Sequence, residues 1–178
     1  GGGGSSKVEP FNAVSILQGM ADVAGETVKV HYARGLPSLD EMVSRTKFTT
    51  AADGGEPGLR AEYFANGDLS GEPVITRIEP RIAIGSGSSR YPDGTLSERW
   101  TGYYSASEQG SYDLFVAAAG DGGGFYRLFV NDELIIDNWT LNKAIVDYAT
   151  LELESGTHKI ILEHREGHNY QGERLQLG

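Results

Sequence analysis

Three short runs hold the residues whose types could do chemistry. Asp137-Asn138-Trp139 sets an aromatic side chain beside a carboxylate and an amide. A sugar ring offers an apolar face that stacks on an indole, and its hydroxyls take planar polar partners of this kind. A competing reading has Trp139 closing the end of a core while Asp137 accepts the N–H groups of a turn. Asp121-Gly122-Gly123-Gly124 reads as a glycine turn whose small residues leave space for a ligand. The run His164 to Gln171 is polar and aromatic, and His168, Asn169 and Tyr170 within it can hydrogen-bond or stack. His164 and His168 lie four apart, but on a loop that spacing fixes no shared face and no carboxylate completes a zinc pattern, so no metal is assigned. Ser-His-Asp, phosphate-loop and dinucleotide patterns are missing from the sequence.

These runs need elements to hold them. Tyr126 to Val130 and Glu133 to Asp137 flank Asn131-Asp132, two residues that tolerate the positive φ of a two-residue hairpin turn. Pairing across that turn predicts Leu128 beside Ile135 and Phe129 beside Leu134. Both faces are then apolar, which predicts a central hairpin covered on both sides. Alternating runs recur at Ser111 to Ala117, Ala149 to Leu153 and His158 to His164, with a turn at Glu154-Ser155-Gly156 between the last two. Alternation also sends Arg99 and Trp100 to opposite faces, Trp100 into the core and Arg99 towards a carboxylate. The pattern is that of a β-sandwich.

Upstream the period changes. Val14, Leu17, Met20, Ala21 and Ala24 share one face of a short amphipathic helix that Gly25 stops. Val28, Val30 and Tyr32 alternate as a strand would. Residues 36–50 show no clear periodicity, and Ala51 to Gly58 is turn-rich, which places a connector at 51–57.

Bulk properties limit the partners. A chain of 178 residues has room for one substantial core and a short extra element. Its 25 glycines favour a turn-rich β protein over a helical bundle. A net charge of −10 with scattered basic residues argues against nucleic acid, whose binding needs clustered Lys and Arg, while a neutral sugar meets no such penalty. No apolar window reaches the roughly 18 residues of a membrane span. The absence of cysteine excludes disulfides and thiolate metal sites, and leaves a cytoplasmic, periplasmic or secreted location equally open.

Three motifs add a family resemblance. The run Gly58 to Asn66, then Ser97-Glu98-Arg99-Trp100-Thr101-Gly102-Tyr103, then Arg127 to Trp139 resembles the protective-antigen-type (PA14) domain, a β-sandwich often used to hold carbohydrate. Gly2-Gly3-Gly4-Ser5, Val14 to Met20 and Val28 to Gly35 resemble the C-terminal sandwich domain of glycoside hydrolase family 3 β-glucosidases, some of which carry a PA14 domain inserted at this point. Gly1 to Ser6 then reads as a native loop, in preference to an expression linker. The resemblance implies a mainly β fold: a PA14-type antiparallel β-sandwich at 58–178, a linker at 51–57, and at 1–50 a helix-strand segment of an α/β sandwich.

It also implies a division of labour. The parent would be a retaining β-glucosidase using two carboxyl groups about 5 Å apart. Its nucleophile would lie in an absent N-terminal barrel and its acid/base Glu beyond Gly178. Neither Glu163 nor Glu166 is assigned to catalysis, and the chain alone is expected to be inactive. Asp137-Asn138-Trp139 matches the family's Asp-x-Trp. Asp121 matches the first of two calcium-holding aspartates of flocculin-type lectins, but Gly122 replaces the second. Calcium wants six to eight oxygens, so the lost carboxylate disfavours it and no cofactor is expected. The expected saccharide contacts are therefore Asp121, Gly122, Asp137, Asn138, Trp139, His168, Asn169 and Tyr170. Expected partners are an oligosaccharide or β-glucoside and the parent's other domains, with homo-oligomerisation a further option. A free-standing calcium-dependent lectin and a purely structural insert are the alternatives.

Overall fold

The computed structural model describes residues 13–33, 35–84, 92, 94–119, 125–140, 146–165 and 174–178. The chain divides into two compact units, Gly1–Pro37 and Ser38–Gly178.

In the first unit, α1 spans Ile16–Ala24. Ser15 caps it by accepting from Gln18 N at 3.1 Å, and Gly25 ends it at φ 64°, where a side chain would be strained. The helix buries none of its residues, and Ile16, Met20 and Val23 stay exposed. Val28 to Tyr32 form no strand. A strand exists through its ladder, and the described residues supply no partner for this one.

The second unit is a sandwich of two antiparallel sheets. Its strands are β1 (Phe48–Thr49), β2 (Leu59–Phe64), β3 (Ile75–Glu79), β4 (Ala83–Ile84), β5 (Ser97–Ala106), β6 (Gly110–Ala119), β7 (Phe125–Val130), β8 (Glu133–Asp137), β9 (Val146–Leu153), β10 (Gly156–Arg165) and β11 (Arg174–Leu177). The larger sheet runs β3-β2-β5-β10-β7-β8, with β1 also on β5, and the smaller runs β4-β11-β6-β9. Gly156, at φ 128°, starts β10 after β9 has ended in the opposite sheet, so the turn before it carries the chain from one layer to the other. Inward residues interleave between the layers: Leu59, Trp100, Tyr126, Leu128, Ile160 and Leu162 from one, Leu114, Val116, Leu175 and Leu177 from the other. Alternation drives this, since the side-chain period of two puts every second residue into the core.

A short helix, α2 (Leu39–Arg45), joins this unit. Ser38 and Glu41 form a reciprocal capping box at its start. Val43 packs on Phe115 and Ala117, the outward residues of β6, and Gln176 Nε2 donates to Asp40 Oδ1 at 2.6 Å. The compact unit therefore begins before the turn-rich stretch 51–57.

The hairpin forms at the expected turn, with Asn131 at φ 51° and Asp132 at φ 65°. Its register differs from the simple count. Phe129 pairs with Leu134, but a bulge shifts the next pair so that Leu128 faces Ile136 and Ile135 is the extra residue. Nor is the hairpin covered on both sides. β8 is an edge strand and Leu134 is 44% exposed, because the smaller sheet covers only the face that carries Leu128.

Candidate functional site

Phe125 and Arg165 are paired across β7 and β10, and Arg127 faces Asp137 across β7 and β8. This register gathers the start of β7, the end of β8 and the end of β10 at one end of the larger sheet. Asp137, the last residue of β8, accepts from Trp139 N at 3.0 Å and so turns the chain over that end. Trp139 is half-buried. The Arg127 guanidinium stands 4.2 Å from its ring centroid and that of Arg165 5.2 Å, while Arg165 also lies 4.0 Å from the Phe125 ring. Arg165 Nη2 donates to Trp139 O at 3.0 Å. Cations held over an aromatic face fix the indole at modest cost, since the ring quadrupole attracts them.

Behind the indole, Asn138 is only 2% exposed and its N–H donates to Tyr126 O at 2.9 Å. Tyr126 donates its hydroxyl to Asp147 Oδ2 at 2.6 Å. Burial, and then that carboxylate, push the Tyr126 hydroxyl above its usual range. Of the expected trio, then, Trp139 and Asp137 reach solvent and Asn138 supports them from inside.

On the outer face of the same strands, Glu163 accepts from Arg99 Nε at 2.9 Å and Nη2 at 2.7 Å, and from Arg127 Nη2 on its other side. The expected carboxylate partner of Arg99 is thus Glu163. Arg127, Arg165 and Phe125 escaped the sequence reading as site residues. Their signal was alternation, which sets Arg127 opposite buried Tyr126 and Leu128, but which arginine meets which ring depends on the strand register.

Asp121 and Gly122, and His168, Asn169 and Tyr170, lie outside the described residues. The chain enters β7 directly after 120–124, and it leaves β10 directly into 166–173. Among the described residues no group of three His, Asp or Glu side chains could hold a metal ion. The pair Asp121-Gly122 supplies one carboxylate where calcium needs several oxygens, a donor set that does not fit the ion.

Two acids of the sandwich, Glu79 and Glu98, serve the fold. Glu79 accepts from Trp100 Nε1 at 2.7 Å and from the Tyr63 hydroxyl. Glu98 is fully buried, with Oε2 at 2.8 Å from Nδ1 of buried His164. Burial, reinforced by the nearby Glu79 charge, pushes the Glu98 carboxyl up to about 8. A folded value above the unfolded 4.5 means that the native chain holds a proton which the unfolded chain has lost. Stability should therefore fall as pH rises from about 4.5 to about 8. Urea titrations across that window should show a shallower fall for Glu98→Gln than for the wild type, and equal slopes would refute this protonation.

Residues 55–178 match the family model for the PA14 domain. The chain belongs to the PA14 domain family. Across 91% of its length it is 28% identical to "Probable beta-glucosidase I" of Aspergillus niger, of which it covers 21%. It is 34% identical over 60% of its length to the anti-sigma-I factor RsgI3 of Acetivibrio thermocellus, covering 16% of that protein. The crystal structure of β-glucosidase from Kluyveromyces marxianus in complex with glucose aligns over 100% of this chain and 22% of its own, at 22% identity and a TM-score of 0.59, a likeness of fold. The chain spans about a fifth or less of the length of these curated relatives. Similar stretches thus occur in proteins with different functions, so the fold alone does not decide the role. No described helix is long and apolar enough to cross a membrane.

Proposed function

We propose that this chain is an accessory segment of a retaining β-glucosidase-type glycoside hydrolase, in which the PA14 sandwich contacts oligosaccharide and limits which chains reach the parent's active site. The observation that carries the reading is Trp139, a half-buried indole clamped by Arg127 and Arg165 at the sheet end that 120–124 and 166–173 adjoin. An immobilised aromatic ringed by planar donors is pre-organised for a sugar, and ordering it in advance lowers the entropic cost of binding. In this reading Asp121, Gly122, His168, Asn169 and Tyr170 complete the contact surface from the adjoining segments.

The upstream unit supports a glycosidase parent over a free-standing lectin. A similarity to β-glucosidase I over 91% of the chain is longer than Ser38–Gly178, so it reaches into the first unit. There, α1 exposes Met20 and Val23 as a helix does when the sheet it covers lies elsewhere in a polypeptide. The assignment of the residues before Ser38 to the parent's α/β sandwich and of 58–178 to the module belongs to this proposal, with α2 and β1 packed on the module from upstream of 51–57. So does the assignment of bond cleavage to carboxylates of other domains.

Kinetics of a full-length hydrolase carrying this segment test it. Trp139→Ala should raise KM for an oligosaccharide about tenfold while leaving kcat on a small aryl β-glucoside unchanged, because the indole contributes to binding and not to chemistry. Unchanged KM for every substrate, or hydrolysis of an aryl β-glucoside by this chain alone, would overturn the proposal.

A further inference from the structure

We propose a second saccharide-binding site on the solvent face of the larger sheet, a track for the distal units of a neutral oligosaccharide. It extends the reading above from the Trp139 end of the sheet to the hairpin turn, and it stands on different residues.

Register places Thr101, Ile161 and Phe129 in one row across β5, β10 and β7, on the face turned away from the core. All three are half-buried without any described element over them. Rows of charge border them on both sides. One is the Arg99–Glu163–Arg127 ladder, and the other is Lys159, whose Nζ lies 2.7 Å from Asp132 Oδ1. The three rows together form a shallow, open depression of about 440 Å³.

The chemistry of the lining selects the ligand class. The floor is apolar and narrow, suited to the C–H face of a pyranose on Phe129. The walls are planar or multivalent polar groups suited to its hydroxyls. Arg99 and Arg127 share Glu163 and Lys159 pairs with Asp132, so most of the bordering charge is cancelled in a chain of net charge −10. An anion meets the overall acidity, and a cation finds both carboxylates already paired. A neutral ligand meets neither obstacle.

Arg127 joins the two regions. Its guanidinium lies 4.2 Å from the Trp139 centroid and 5.7 Å from that of Phe129. From Phe125 to Val130 the strand runs about 17 Å at ~3.3 Å per residue, enough for several sugar rings in line. A short saccharide would occupy the Trp139 end alone, and a longer one would extend over Phe129.

Calorimetric titration of the chain with a disaccharide and a hexasaccharide of β-linked glucose tests this. Phe129→Ala should weaken the hexasaccharide about tenfold and leave the disaccharide unchanged, the loss of one stacking contact. Thr101→Arg, which fills the depression from a central strand, should do the same, with near-ultraviolet circular dichroism confirming the fold. Wild-type hexasaccharide binding in both variants would overturn the track and leave the Trp139 reading standing. Loss in Phe129→Ala with none in Trp139→Ala would do the reverse. Should either variant unfold, the wild-type amide resonances of Thr101, Phe129 and Ile161 decide: they move with added hexasaccharide if the track exists and stay still if it does not.

Discussion

Replacing Trp100 with alanine is expected to destabilise the sandwich by about 4 kcal/mol, the middle of the range for truncating a large core aromatic. Trp100 sits on β5 between Ala61 of β2 and Leu162 of β10, fully buried, so its removal opens a void that two neighbouring strands cannot both close. The ring also meets Tyr63 edge-on at 6.2 Å and donates Nε1 to Glu79 at 2.7 Å. Losing that donor leaves the part-buried Glu79 carboxylate short of one partner, which adds to the cavity cost. Trp100→Phe separates the two contributions. It keeps most of the volume and loses the hydrogen bond, and should cost about 1–2 kcal/mol. Urea unfolding monitored by far-ultraviolet circular dichroism measures both. A cost below about 1 kcal/mol for the alanine variant would mean that Trp100 is not the centre of this core.

Glu163→Ala should cost about 2 kcal/mol and also loosen the candidate site. The side chain is 8% exposed and bridges Arg99 and Arg127, so its removal leaves two guanidinium groups across β10 with no anion between them. Each arginine is about a third exposed, and solvent therefore relieves part of the repulsion. Added salt should shrink the penalty further, which a cavity effect would not do. Arg127 also loses the anchor that holds it over Trp139. In a Trp100→Phe background, the emission of Trp139 should then shift to the red as the ring becomes more solvated. An unshifted spectrum would show that Arg165 alone holds the indole.

Local rules made part of this architecture legible. The opposite facing of Arg99 and Trp100 follows from the period of two, and both ended where that period sent them. Asn131-Asp132 announced its turn because few residues tolerate two successive positive φ values. The bulge at Leu128 and Phe129 was not legible, because an extra residue in one strand leaves no mark in the alternation of the other. Edge and centre were likewise hidden: Leu134 is as apolar as a covered residue, and only the position of the second sheet shows that nothing covers it. The helix at Leu39–Arg45 went unread although Ser38-Leu39-Asp40-Glu41 spells a capping box, since seven residues give too few turns for a clear period. At the site, the aromatic and acid types of Asp137 and Trp139 were visible in the chain. Their guanidinium partners come from β7 and β10, and a contact between strands far apart in sequence depends on register, which composition does not carry.

The central claim is that the Trp139 end of the sandwich meets saccharide without cleaving it. Resonance mapping of the isotope-labelled chain during titration with a hexasaccharide of β-linked glucose tests it most directly. The account predicts saturable movement of the Trp139 indole N–H and of the amides of Phe125, Arg127 and Arg165, no movement of the Trp100 indole, and intact sugar at the end. Saturable movement confined to other surfaces, no movement at all, or shortened sugar would contradict it.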